Sequence, residues 1–387
     1  MSSLLEKVKL NQFISALFIV LAVFSIYNRT FSLGFDIRFI VLPVLILGFF
    51  VAFIVKVKND NYFLPLTALI AFLLLVIIII QDQLAWLNSD LSKNNSVYKN
   101  VLILYCYNFL MVLYLFLNRD YLDNKVFLNS LIFSSLFLSF SSIYQVLVGD
   151  LPFVSAGSTG EAFQDELSIL GVRPAGYAHD PNYTSLLMVF SIYVVSKTRP
   201  KNLFTIICLS LFAFTLFASG SKTVMMICFL LLVRIAFIKL KLRVLFNVGF
   251  IVVLLFGLLT VLSFFEQLST FSQRLTMWNL AINGFYDSPF LGQGITGVRS
   301  LLAQDMRYVQ PHNGWLALLV DHGLIVSSII ASCILALIFK AKTRGVRYLI
   351  VIFCFLSISN EMWVYPYWVL FLAFPFVFKI NLGTKNV

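Results

Sequence analysis

Apolar residues in this chain fall in long blocks separated by short charged clusters. A helix that crosses a bilayer needs roughly 20 mostly apolar residues, and many of these blocks reach that length. Read between the charged clusters, they predict helical spans near 11–27, 36–55, 62–80, 98–117, 126–148, 181–196, 202–218, 223–239, 244–264, 313–339, 346–359 and 362–379. At Gly220 and Asn360 two spans are separated by little more than a turn. The first block follows Lys7 and Lys9 as a signal sequence would. It has no small-x-small cleavage site and is followed by further spans, so it reads as a retained helix.

Composition removes the soluble alternative. Of 387 residues, 60% are hydrophobic and 12% charged, 41 are Phe, and the mean hydropathy is +0.94. No soluble domain of this size could hide so much apolar surface. The chain therefore reads as an all-α polytopic membrane protein of about twelve transmembrane helices, forming one membrane domain over residues 1–387.

Charge then sets the orientation, because cytoplasmic loops collect Lys and Arg. With both termini cytoplasmic, nineteen of the 28 basic residues fall inside and nine outside. Of the 17 acidic residues only Glu6, Asp60, Asp120 and Asp123 fall inside. The net charge of +11 is thus mostly topology and implies no nucleic-acid partner. All five cysteines lie within apolar spans and read as packing residues, which suggests neither a disulfide framework nor a metal cluster.

Inner loops are short, but two outer loops, near 149–180 and 265–312, are long, and long loops in compact proteins are usually functional. The first ends in GVRPAGYAHDPNYTSLL. Asp180 and Pro181 there read as the cap and first position of a helix, and Arg173 and His179 suit an anionic lipid head group. In the second loop, Gln273 to Phe285 places Leu275, Trp278, Ala281 and Ile282 at spacings of three and four. That describes a short amphipathic helix at the interface, with Arg274 beside the lipid phosphates. The Gly-rich SPFLGQGITG follows no strand, so it reads as a turn returning the chain to the membrane and not as a nucleotide loop.

Between the seventh and eighth spans, Lys222 reads either as a snorkelling helix-end lysine or, with its Gly-Ser-Lys-Thr turn, as a phosphate ligand. In VQPHNGWLALLVDHG, His312 and Asn313 stand at the mouth of the tenth span. Asp321 and His322 lie within it, where ionisable groups must face protein or a water-filled cavity. On an unbroken helix Asp321 would point about 180° from His312 and His322 about 80° from it. Asp321 reads equally as a partner for a neighbouring helix or as a catalytic group, and Glu361 is a similar candidate.

These residues carry a resemblance. The pattern R-x-x-x-W-x-x-A (Arg274, Trp278, Ala281), then SPFLGQG, then PHNGWL with a later Gly, resembles the bacterial O-antigen polymerase and O-antigen ligase superfamily. GYAHDPNYTSLL resembles that family's motif before its middle helices. Where the family commonly has Ser-Arg, this chain has Ser221-Lys222, keeping the charge but losing bidentate phosphate geometry.

The resemblance implies transfer of a glycan from an undecaprenyl diphosphate carrier to an acceptor hydroxyl at the outer face of the bacterial inner membrane. It also implies an upstream flippase and a chain-length regulator as partners. The departing diphosphate must be neutralised by metal or by fixed cations. The chain has no Asp-x-Asp, so Arg274 with Lys222 or Arg173 would do this, without metal or cofactor. A lone outer imidazole has a suitable unperturbed pKa to accept the acceptor's proton, which makes His312 the candidate base. Asn313 would orient it or a sugar hydroxyl, and His179 would add to the substrate site. Two acceptors remain open: another lipid-linked repeat unit (polymerase) or the lipid A core (ligase). A lipid-linked oligosaccharide flippase would instead line a central cavity with charge and have only short outer loops. A non-enzymatic assembly subunit would tolerate loss of His312.

Overall fold

The computed structural model describes residues 37–58, 63–88, 95–119, 124–152, 163–164, 170–178, 180–200, 202–221, 269–305, 312–341, 343–358, 368–373 and 375. Within them the chain is a helical bundle. Its long helices are α1 (Ile37–Lys58), α2 (Phe63–Asn88), α3 (Asn95–Leu117), α4 (Asn124–Val148), α5 (Pro181–Thr198) and α6 (Leu203–Ala218). Beyond them come α7 (Ser269–Asp287), the short α8 (Gly297–Asp305), α9 (Gly314–Lys340), α10 (Arg344–Leu356) and a π-helical turn at Val369–Ala373. Eight of the spans expected from the sequence coincide with α1 to α6, α9 and α10. The expected spans 11–27, 223–239 and 244–264 lie outside the described residues, as do Glu361 and most of the last span.

Two helices, α4 and α9, are long and apolar enough to cross a membrane by length and composition, and shorter apolar stretches occur in α1, α2, α3, α6 and α10. Large side chains such as Leu47, Ile77, Leu147, Phe204 and Phe339 are exposed on the outside of the bundle, where only an apolar solvent would suit them. The core is Phe127 and Leu131 of α4, Leu186 and Phe190 of α5, Phe212 of α6, Leu349 and Phe353 of α10, and Phe371. Beside it, Phe49 of α1 stacks on Phe72 of α2 at 5.4 Å.

The buried face of α4 is rich in serine: Ser130, Ser134, Ser135, Ser139, Ser141 and Ser142. Small residues allow close helix approach, and their hydroxyls can bond across the interface. Ser135 Oγ meets Ser191 Oγ of α5 at 2.7 Å.

The described parts of the loop near 149–180 are tied down by side chains. Gln145 Oε1 near the end of α4 accepts from the backbone N–H of both Ala175 and Gly176, each at 2.9 Å. Tyr177 O–H donates to the Pro152 carbonyl at 2.8 Å, and Thr184 Oγ1 donates to the Ala175 carbonyl at 2.6 Å. Two-residue strands, β1 (Phe163–Gln164) and β2 (Val172–Arg173), pair antiparallel within it. The chain then enters α5 as the Asp-Pro-Asn sequence suggests: Asp180 Oδ1 accepts from Asn182 N–H at 2.7 Å, with Pro181 at the first helical position.

Candidate functional site

The loop near 265–312 is built against a broken helix. Within α9, Gly323 has φ 68 and ψ −177, so the hydrogen-bond ladder is interrupted there. A break at membrane depth leaves backbone groups without water, which is tolerated only where protein supplies the partners. The turn Pro289 to Gly294 supplies them. Above the break, the Val320 and Asp321 carbonyls accept from Gln293 and Gly294 N–H at 2.7 and 2.9 Å. Below it, Leu324 N–H donates to the Pro289 carbonyl at 2.8 Å and Ile325 N–H to the Phe290 carbonyl at 3.4 Å. The His322 carbonyl accepts from Gln81 Nε2 of α2 at 3.3 Å, and the same amide donates to the Leu291 carbonyl at 2.9 Å.

Glycine is required at both sides of this contact. Gly292 has φ +76, and a Cβ there would strike the Asp321 carbonyl and Gly323 N. A Cβ on Gly323 would strike the Phe290 carbonyl and Gly292 N. The glycines of SPFLGQG therefore bring two backbones together, a more rigid role than the flexible return turn suggested by the sequence.

Asp321 resolves to a structural partner. Its Oδ1 accepts from Val298 N–H at 2.8 Å, in the first turn of α8. This fastens α8 to α9, and Val298 and Leu302 of α8 then pack with Met277 and Ala281 of α7 and Ala317 and Val320 of α9.

The α7 helix expected between Gln273 and Phe285 is present, and one of its faces is buried against the protein. Met277, Ala281 and Gly284 are buried, whereas Ile282 is exposed. Arg274 lies three residues before Met277, so it shares this inward stripe. It is half-buried and makes no hydrogen bond or ion pair with any described residue. Burial lowers its pKa from the usual arginine value. A partly desolvated guanidinium of this kind favours an anionic ligand.

His312 precedes α9 and does not belong to it. It has φ 49, a left-handed conformation uncommon for a residue with a side chain. The helical projection from His312 to Asp321 and His322 therefore does not apply, since the chain turns sharply between His312 and the helix. Asn313 is the cap: its Oδ1 accepts from Leu316 N–H at 3.1 Å. The same mouth is held to α10 by Gly314 N–H donating to the Ser357 carbonyl at 2.7 Å and Trp315 Nε1–H to the Cys354 carbonyl at 3.1 Å.

The helix that carries Arg274, α7, packs against α8 and α9, and His312 stands two residues before α9. Arg173 enters another cluster: its Nε donates to the Ser219 carbonyl at 2.9 Å and its Nη2 to Asn182 Oδ1 at 3.2 Å. Ser219 Oγ in turn meets Ser185 Oγ at 2.6 Å. This joins the loop near 149–180 to the turn that follows α6. Lys222 and His179 lie outside the described residues.

One pair escaped the sequence reading. His322 Nδ1 lies 3.1 Å from Asp82 Oδ1 of α2, and both side chains are almost fully buried. Tyr105 of α3 approaches the imidazole edge-on, with ring centroids 6.1 Å apart. The apolar run reads as ending at residue 80, but α2 continues to Asn88, and the apolar Leu84 and Leu87 beyond Asp82 are the sequence signal of that extension.

Residues 207–331, about a third of the chain, match the family model described as O-antigen ligase. The match supports membership of the O-antigen ligase and polymerase superfamily. The O-antigen ligase match runs from α6 into α9, so it contains Lys222, Arg274, His312, Asn313, Asp321 and His322, but not Asp82, Arg173 or His179. Members of this superfamily are membrane-integral, glycosyltransferase-like enzymes that act on lipid-linked glycans. No curated protein and no solved structure matches the chain.

Proposed function

We propose that this chain is a membrane glycosyltransferase that polymerises undecaprenyl-diphosphate-linked oligosaccharide repeat units into O-antigen or capsular polysaccharide. It works at the outer face of the bacterial inner membrane, with both termini cytoplasmic. The observation that carries the reading is the packing of the Arg274 helix against the helix entered through His312, inside the segment that matches the O-antigen ligase family.

In this reading an acceptor hydroxyl attacks the anomeric carbon of the donor glycan. The bond from that carbon to the diphosphate oxygen breaks, and the hydroxyl proton passes to the His312 imidazole. Undecaprenyl diphosphate leaves with its charge balanced by Arg274, Lys222 and Arg173, so no metal is needed. Because Asn313 Oδ1 is occupied in capping α9, it is the amide Nδ2 that is left to hold a sugar hydroxyl. His179, beside the cap of α5, would complete the donor site. A flippase that presents the donor and a regulator of chain length are the expected partners.

The ligase reading differs only in the acceptor, the lipid A core, and the family match is equally consistent with it. The two separate in the native host lacking its own copy of this gene, complemented with wild type, His312→Ala or Arg274→Ala at equal membrane levels. If the chain polymerises, either substitution collapses the surface polysaccharide ladder to single-repeat material. Loss of surface glycan with long lipid-linked chains accumulating would select the ligase reading. An unchanged ladder would remove both residues from the site.

A further inference from the structure

At the end of the bundle away from the mouth, α4, α5 and α6 pack against one another. Chain direction identifies that end. The α5 helix starts at Pro181 beside Arg173 and runs to Thr198, and Tyr193 O–H near its finish donates to the Gly345 carbonyl at 3.3 Å, just past the far end of α9. Arg199 caps α5 there, its backbone N–H donating to the Val195 carbonyl.

The Arg199 side chain reaches both neighbouring helices. Its Nη2 donates to Asn129 Oδ1 of α4 at the bundle surface, and its charge is felt at Cys208 of α6. Asn129 is neutral, and Arg199 makes no ion pair with a described residue. Its Nε is buried without an acceptor, so only the outer side of the guanidinium can meet a counter-ion. A guanidinium oriented by a neutral amide keeps its full charge and its planar fork for an anion. Lys197, exposed in the last turn of α5, adds a second cation.

The surface next to this cation is apolar. Phe133 lies one turn after Asn129 on the same face of α4 and is exposed, as are Leu203, Phe204 and Ile207 in the first two turns of α6. A cation at the rim with hydrocarbon beside it matches a lipid that carries an anionic head. A soluble anion would use the cation and leave the apolar strip bare. An acidic peptide or a nucleic acid would have no use for Phe133 and Phe204.

We propose that Arg199 and Asn129 form a binding site for an anionic phospholipid, with its phosphate on the Arg199 guanidinium and an acyl chain along Phe133 of α4 and Phe204 of α6. The site lies at the other end of the bundle from Arg274 and His312 and does not depend on the glycosyltransferase reading.

The test uses the full-length protein in detergent micelles, titrated with phosphatidylglycerol or with phosphatidylcholine of identical chains, with bound lipid counted by native mass spectrometry. A photoreactive phosphatidylglycerol maps the contact. Phosphatidylglycerol should bind on the order of tenfold more tightly than phosphatidylcholine, with labelling on peptides of α4 and α6. Arg199→Gln should lower phosphatidylglycerol to the level of phosphatidylcholine. Asn129→Asp, which leaves Arg199 in place and gives it a carboxylate partner, should do the same. Lys340→Gln, which removes an exposed cation at the same end of the bundle, should leave the preference unchanged. Equal binding of the two lipids, labelling confined to other helices, or competition by glycerol phosphate as strong as by phosphatidylglycerol would overturn the proposal. So would a loss in Lys340→Gln equal to that in Arg199→Gln.

Discussion

The two long loops, near 149–180 and 265–312, are fixed to the bundle by different means. In the first, side chains do the holding: Gln145 receives two backbone N–H groups, Tyr177 reaches the Pro152 carbonyl, and Arg173 bridges to Ser219 and Asn182. In the second, backbone meets backbone, as the 289–294 turn completes the hydrogen bonds that α9 loses at Gly323. A side-chain clamp can rotate and adapt when altered. A backbone junction with no Cβ between its strands cannot, so the second loop holds the mouth of α9 in one geometry. Arg274 and His312 belong to the loop with the rigid attachment.

The sharpest way to break this contrast is Gly292→Ala or Gly323→Ala. Each added methyl meets backbone atoms, and each residue has positive φ. Overpacking typically costs about 1–3 kcal/mol, and a left-handed non-glycine residue about 1–2 more. Thermal unfolding in detergent should therefore show a large loss of stability for either substitution. The double variant should lose less than the sum, because both methyls disrupt one contact. Gly171→Ala in the first loop, where a Cβ meets nothing within 4 Å, should lose only the conformational part.

Next in size is Gln145→Leu, which leaves the N–H groups of Ala175 and Gly176 without their acceptor. With a buried unsatisfied donor costing about 1–3 kcal/mol, a loss of about 2 kcal/mol is expected, together with earlier proteolysis within 149–180. Cleavage within 289–294 should stay unchanged, and a parallel rise there would mean that the two loops are not held independently. Asp180→Ala and Asn313→Ala each remove a helix cap and should cost about 1 kcal/mol. Of the two, only Asn313→Ala should also reduce glycan transfer. Ser141→Ala is expected to cost about 1 kcal/mol as well, since its hydroxyl, besides returning to the Leu138 carbonyl, accepts from the buried Tyr177 N–H at 3.4 Å.

The same contrast marks what could be read from the sequence. Helix positions were legible because apolar length is a strong signal, and the Asp180 cap was legible because Asp-Pro-Asn has a local mechanism. The break in α9 was not: an apolar run carries no mark of an interruption when the missing hydrogen bonds are completed by a turn some thirty residues earlier. The second face of α7, which packs Met277, Ala281 and Gly284 against the protein, was not legible, because the apolar spacing of Leu275, Trp278 and Ile282 marks only the other face. Asp82 was not legible because the apolar run reads as ending before Gln81, and the role of Asp321 depends on α8, which lies over its carboxylate.

The central claim is that the rigidly held mouth performs glycan transfer with His312 as its base. The most direct test is the initial rate of glycan extension by purified protein in liposomes, supplied with lipid-linked repeat units. His312→Ala is compared with wild type at matched folding, as judged by thermal unfolding. A positioned proton acceptor contributes roughly 10²–10⁴-fold, so the predicted result is a loss of at least a hundredfold with the unfolding temperature unchanged. A folded His312→Ala protein that extends glycan at the wild-type rate would contradict the account.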